Sequence, residues 1–322
     1  MTAALVLENA QWSPPGPDGR MMVGWLDVAT SQTRCALFEP TSASPAEVEP
    51  IIVKAQQRLP YLGGPCRPEE AQTFRLAGIS RLGSEIGLLY NCTQQPVTLR
   101  DYITTRPKPD RRDRLRLALA IATKVRSLEV HFDLRHPDLR ADSFVFIRDV
   151  FRPAATNGGD ININNGSNNN NNRATINGTD GRDVDLSRPF ILDWSRRPTQ
   201  QSIYQHPRFR PPGERPNREW TYQVFALLMI LSEIAAWDSL AARFSSSTTP
   251  AALQAAKEER FHLLKTGAWQ VFPWACTQLE QNMEKLEQYD RWHVKRFYDM
   301  LCDKLQTQVA DAGLGESVMT IA

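Results

Sequence analysis

With 322 residues the chain is long enough for one large domain or for two lobes around a cleft, and its 41% hydrophobic content supplies a sizeable core. The formal net charge of +2, from 38 basic against 36 acidic residues, gives no field for holding nucleic acid or an anionic membrane. Five scattered cysteines (Cys35, Cys66, Cys92, Cys276, Cys302) with no Cys-x-x-Cys pair argue against a zinc site or a disulfide framework and fit thiols in a reducing compartment.

Residues 1–12 lack the basic and apolar regions of a signal peptide, and the most apolar run, Val224 to Ile234, is too short to span a bilayer. A cytoplasmic protein with no membrane partner is expected. The turn-rich segment S-P-P-G-P-D-G (residues 13–19) precedes strand-like pieces at Met21–Val28 and Arg34–Phe38. A helix is expected over Pro45–Leu59, limited by Pro50. Two more strands are expected at Phe74–Arg81 and Glu85–Cys92, joined by a turn at Gly83-Ser84.

After Leu99 the pattern becomes helical. Leu115, Ala118, Leu119, Ile121, Ala122 and Val125 recur at helical spacing, and basic residues from Arg111 to Arg126 fill the other face, which is expected to be solvated. A helix from about Arg218 to Trp237 is apolar nearly all round and therefore buried. Two further helices are expected, over Pro250–Leu264 and Gln278–Gln308. Between the helical stretches, Pro153 to Ser187 contains the run Asn168 to Asn172 and has almost nothing to bury, so it is expected to be a disordered insertion.

Two short segments could carry chemistry. H-P-D-L-R-A-D-S-F-V-F (136–146) has the outline of a phosphoryl-transfer catalytic loop, and Asp193-Trp194-Ser195, after the apolar run Pro189 to Leu192, has the outline of a metal-binding turn. A carboxylate to orient the acceptor hydroxyl, a cation beside the phosphates and oxygen ligands for magnesium are what that chemistry requires. Taken singly, the aspartates also suit turns, and His136 suits a structural histidine bonded to nearby backbone.

With these segments in order, the chain resembles the protein-kinase superfamily. It looks most like the fungal kinase-like domains that accompany prion-inhibition-and-propagation (HeLo) modules. Phe74-Arg75-Leu76, Ile86 to Tyr90, Val97 to Tyr102, Arg114 to Ala118, His206-Pro207-Arg208-Phe209 and Leu231 to Trp237 carry the rest of the likeness. The resemblance implies an α+β, bilobal protein-kinase-like fold. A degenerate strand-rich N-lobe would occupy 1–95, and a mostly helical C-lobe 96–322, with the insertion at 153–187.

The resemblance places Asp138 at the catalytic aspartate and Arg140 at the lysine beside the transferred phosphate. Ser143 falls at the magnesium-binding asparagine and Asp193 at the metal-binding aspartate. Pro137 and Ser143 depart from the pattern, and Gln223 stands where an aspartate would hold the catalytic loop. No G-x-G-x-x-G is present; Gly16 and Gly19 are turn glycines. Two registers remain for the nucleotide lysine. One lays Met21–Leu26 on its strand and puts Leu26 or Asp27 in its place; the other makes Lys54 of Ile51-Ile52-Val53-Lys54 the equivalent. Thr199, Ser202 and Tyr204, near Arg196 and Arg197, offer hydroxyls for a phosphate switch.

Missing cations should leave little phosphoryl transfer, because that reaction is catalysed by positioning and electrostatics. The expectation is therefore a catalytically impaired, pseudokinase-type signalling module that acts through protein partners. ATP and Mg²⁺ would be cofactors only if nucleotide binding is retained. A divergent active Ser/Thr kinase using Asp138 and Asp193, and a non-kinase helical adaptor, are the alternatives.

Overall fold

The computed structural model describes residues 10–16, 19–27, 32–41, 74, 76–83, 85–92, 95–132, 135–147, 184–193, 202–207, 219–244, 249–267, 269–285 and 291–319. The fold is α+β: a five-stranded antiparallel sheet, then a mostly helical remainder. Strands β1 (Gln11–Trp12), β2 (Met21–Asp27), β3 (Gln32–Thr41), β4 (Leu76–Leu82) and β5 (Glu85–Asn91) lie in the order β1-β2-β3-β5-β4.

Strand periodicity sorts the side chains of this sheet into two apolar layers. Met21, Val23, Ala36, Phe38 and Leu89 form one. Leu37, Ile79, Leu88 and Tyr90 belong to the other, which Val145 and Leu192 of the helical part complete. Glu39, two residues beyond Leu37, falls by the same period on the layer facing the helical part. Gly87 pairs with Pro40, and a Cβ there would lie 2.4 Å from the Phe38 ring, so only glycine lets these strands close.

The third strand runs longer at both ends than the expected Arg34–Phe38. Pro40 is tolerated within it because β2 begins opposite Phe38, so beyond that pair β3 has a strand partner on one side only. The turn after β4 is as expected: Leu82 pairs with Glu85, and Gly83 sits at φ 59. The expected helix at 45–59, with Lys54, lies outside the described residues.

Thr98 opens the helical part by accepting the Asp101 N–H at 3.0 Å, which caps α1 (Leu99–Thr105). Next comes α2 (Arg111–Phe132). A small sheet follows, ordered β6-β7-β8, of β6 (Val97–Thr98), β7 (Phe144–Phe146) and β8 (Phe190–Ile191). It holds the 136–143 loop and Asp193 at neighbouring strand ends. The remaining helices are α3 (Glu219–Ala236), α4 (Leu240–Arg243), α5 (Pro250–Thr266), α6 (Val271–Lys285) and α7 (Arg291–Met319). As its composition requires, α3 is buried along almost its whole length.

Three expectations change. The basic face of α2 is not simply solvated. Arg114 donates to the Ala235 carbonyl at the end of α3, Arg126 pairs with Asp299 of α7 at 2.6 Å, and the Arg112 guanidinium lies against Gly313 of α7. Burial in a helix bundle leaves α2 too few free sides for a wholly solvated stripe.

The single helix expected over Gln278–Gln308 is two. In α6, Cys276 and Leu279 are buried; in α7, Val294, Phe297, Tyr298, Leu301 and Leu305 are. α6 packs on α3 and α5, whereas α7 packs on α2, so two directions are needed.

The last four residues of the expected insertion, 184–187, belong to the fold; 153–183 lie outside the described residues. Val184 and Leu186 are buried in the main core, which only apolar residues at the edge of an Asn-rich tract can do. Among the described residues no helix is long and apolar enough to cross a membrane.

Candidate functional site

The two motif segments meet. Asp193 lies two positions past β8 and takes a left-handed φ of 67, a conformation aspartate tolerates better than most residues. Its Oδ2 accepts the Ser143 hydroxyl at 3.0 Å, and the Leu192 N–H bonds the Ser143 carbonyl at 2.9 Å. Ser143 also closes its own turn: its Oγ accepts the Arg140 N–H at 3.2 Å, and its N–H donates to the Arg140 carbonyl at 3.1 Å.

His136 fastens the loop to both neighbours. Its Nε2 lies 2.6 Å from the Leu192 carbonyl and must carry the proton, because a carbonyl only accepts. Its Nδ1 then accepts the Asp138 N–H at 3.2 Å. Both ring nitrogens are engaged with backbone, so this is a structural histidine.

Gln223 does what an aspartate was expected to do, without the charge. Its Oε1 accepts the His136 N–H at 2.7 Å. Its amide nitrogen donates to Glu129 at 3.3 Å and to the Tyr298 hydroxyl at 3.2 Å. The negative charge beneath the loop resides on Glu129 of α2, which Arg135 pairs at 3.0 Å. Burial, and then the Glu129 charge, hold the Tyr298 hydroxyl protonated well above its ordinary range.

Asp138 is fully buried. Its Oδ1 accepts the Gln205 amide at 2.8 Å, and its Oδ2 forms an ion pair with Arg140 at 2.5 Å. Arg140, expected beside a phosphate, is thus turned onto the loop's own carboxylate.

The expectation that the aspartates lack a cationic companion is overturned by Arg20. This residue lies one position before β2, where the 13–19 turn delivers it: Gly16 N–H bonds the Arg20 carbonyl at 2.8 Å, and Gly19 takes φ 80. Its guanidinium reaches Asp193 Oδ1 at 2.6 Å and the Asp142 carbonyl at 3.0 Å. Its Nε stands 3.7 Å from Glu39 Oε2. The same Glu39 oxygen accepts the Asp193 N–H at 2.9 Å. All three charged side chains are nearly inaccessible, at 3% for Arg20, 3% for Glu39 and 2% for Asp193. Tyr90 lies in the field of this cluster. Burial first, then the Glu39 and Asp193 charges, push its pKa well above the usual phenol value.

This cation does not stand at the position that the Met21–Leu26 register gave. Leu26 and Asp27 are six and seven residues along the strand from Arg20, and Lys54 lies outside the described residues. Arg20 follows the turn rather than standing within a strand motif, which hid it. Glu39 was the detectable signal: a carboxylate inside the apolar run A-L-F-E-P, on a layer otherwise apolar, calls for a buried cation.

The resemblance implies magnesium, and the residues do not fit it. Asp193 already gives one oxygen to a permanent cation and the other to a hydroxyl. A divalent ion on that carboxylate would stand within a few ångströms of the guanidinium, where poor solvation leaves like charges strongly repelled. Among the described residues no group of three or more His, Cys, Asp or Glu is placed to hold a metal ion.

Two of the three hydroxyls offered for a phosphate switch, Ser202 and Tyr204, are also committed. Tyr204 is buried and donates to Glu233 at 2.9 and 3.0 Å, and Ser202 is buried with its Oγ accepting the Tyr204 N–H at 3.3 Å. Thr199, Arg196 and Arg197 lie outside the described residues. A further concavity, lined by His206, Phe225, Lys257, Phe261, His262 and Lys265, lies away from both motifs, and its Lys265 is neutralised by Glu280 at 2.6 Å.

The chain matches no protein-family model, and comparison with curated proteins returns no match.

Proposed function

We propose that the chain is a protein-kinase-like module that does not transfer phosphate and acts through protein partners in intracellular signalling. The reading is supported by a five-stranded antiparallel sheet resting on a helical part, with the 136–143 loop and Asp193 meeting beneath it. One observation carries the catalytic half: both carboxylates of the resemblance are buried against the protein's own groups. Asp138 is held by Gln205 and Arg140, and Asp193 by Ser143 and Arg20. A general base must reach the acceptor hydroxyl, and a metal ligand must offer its oxygens to the ion. These side chains instead join loops to one another.

Arg20 also gives the kinase-like reading something that a helical adaptor would not need, a cation carried from the sheet to the Asp193 turn. The test is incubation of the protein with ATP and Mg²⁺, with and without a generic protein substrate. No transfer above background is expected, and Asp138→Asn should leave that background unchanged. Autophosphorylation that disappears in Asp138→Asn would overturn the proposal.

A further inference from the structure

We infer that the cavity between α3, α5 and α6 is a binding site for a small aromatic carboxylic acid, with Lys257 as the residue that recognises its carboxylate. Neither motif segment lines the cavity, so its occupancy is independent of the kinase-like reading.

The cavity has a volume of about 460 Å³, within the range of sites that hold small organic molecules. Helical spacing on α5 sets its long wall. Lys257, Phe261 and Lys265 follow one another at four-residue steps, so they lie along one stripe about 12 Å from end to end. The middle of the stripe is aromatic. Phe261 stacks on Phe225 of α3 with ring centroids 5.7 Å apart, and His206 meets the Phe225 ring edge-on at 4.9 Å. Leu279 of α6 and Pro207 add to the apolar lining. These surfaces fit a flat aromatic body, which takes offset or edge-to-face contacts with neighbouring rings.

The two ends of the stripe differ. Lys265 lies over the Phe261 ring at 5.4 Å and pairs with Glu280 of α6 at 2.6 Å, and both charged side chains are partly open to water. Lys257, at the other end, is only 3% exposed. Burial lowers its pKa to about 8, because a charged amine in poorly solvated surroundings loses hydration. A carboxylate entering the cavity beside it offsets that cost. An ammonium group has three donors, so it serves a ligand oxygen along with acceptors of the protein. A polar group in the wall of an apolar cavity fixes the orientation of a ligand, and the positive charge of this one selects an acid.

The test is isothermal titration calorimetry with 4-phenylbenzoate, whose two rings suit the length of the stripe, and with its uncharged counterpart 4-phenylbenzamide. The wild type should bind the acid with one-to-one stoichiometry and a Kd of about 0.1 mM or tighter, and the amide about tenfold or more weakly. Lys257→Met keeps an unbranched apolar stem and removes the charge, so it should bind acid and amide alike. Phe261→Ala should weaken both ligands by about tenfold while preserving the preference for the acid. The comparison of acid with amide needs only the wild type, and it decides the matter where a variant fails to fold. The proposal fails if the wild type does not bind the acid below about 1 mM, or binds the amide as tightly. It fails equally if folded Lys257→Met still prefers the acid, or if folded Phe261→Ala binds both ligands as the wild type does.

Discussion

Asp193 and Glu233 are both buried carboxylates, and the molecule treats them in opposite ways. Asp193 meets a guanidinium at 2.6 Å from a distant strand. Glu233, inside α3, meets neutral donors among the described residues: the Tyr204 hydroxyl at 2.9 Å and the Leu240 N–H at 2.6 Å. Burial therefore dominates at Glu233 and pushes its pKa from 4.5 to about 8, against the smaller pull of those two hydrogen bonds. A direct charge partner turns a buried acid into a tie between two parts of the fold. Without one, the acid becomes a titratable weak point, whose hydrogen bonds still fix the 202–205 loop onto α3.

Breaking the first site should have the largest effect. Arg20→Ala removes the Arg20 contacts of two buried carboxylates, Glu39 and Asp193, and should lower unfolding stability by about 3–5 kcal/mol, measured by urea denaturation. A loss below about 1 kcal/mol would mean that the cluster is solvated enough to behave like a surface pair.

The second site should declare itself through pH. Glu233 holds its proton in the folded chain between pH 4.5 and about 8, where the unfolded chain has released it. Its contribution is complete below pH 4.5 and is lost as pH rises through about 8, at up to about 1.4 kcal/mol per pH unit. Glu233→Gln should flatten the pH dependence of the melting temperature over that window. An unchanged slope would assign the titration to other groups.

Tyr204→Phe tests the neutral partner, and should cost about 1–2 kcal/mol by removing a buried donor from Glu233. The smallest change is expected at Arg126→Ala. Its partly exposed pair with Asp299 should contribute about 0.2–1 kcal/mol, and the loss should shrink in high salt.

Much of the scaffold was legible in the sequence. The strands from Met21 and Glu85, the Gly83 turn and the all-round apolar helix ending near Trp237 follow from period and turn chemistry, which act between near neighbours. The pairing of Asp138 with Gln205, 67 positions away, and of Arg20 with Asp193, 173 positions away, follows from neither. Gln223 illustrates the difference. Its identity suggested a lost support for the catalytic loop, whereas its amide still holds His136 and the charge has moved to Glu129.

By itself the sequence determined an α+β chain with a strand-rich beginning and a helical end, and it placed His136, Asp138, Ser143 and Asp193 in two short segments. Only the tertiary structure decided that those groups bond mainly to the protein itself. A local pattern fixes which face a side chain occupies, but the field around a buried charge is set by residues that folding alone brings within a few ångströms.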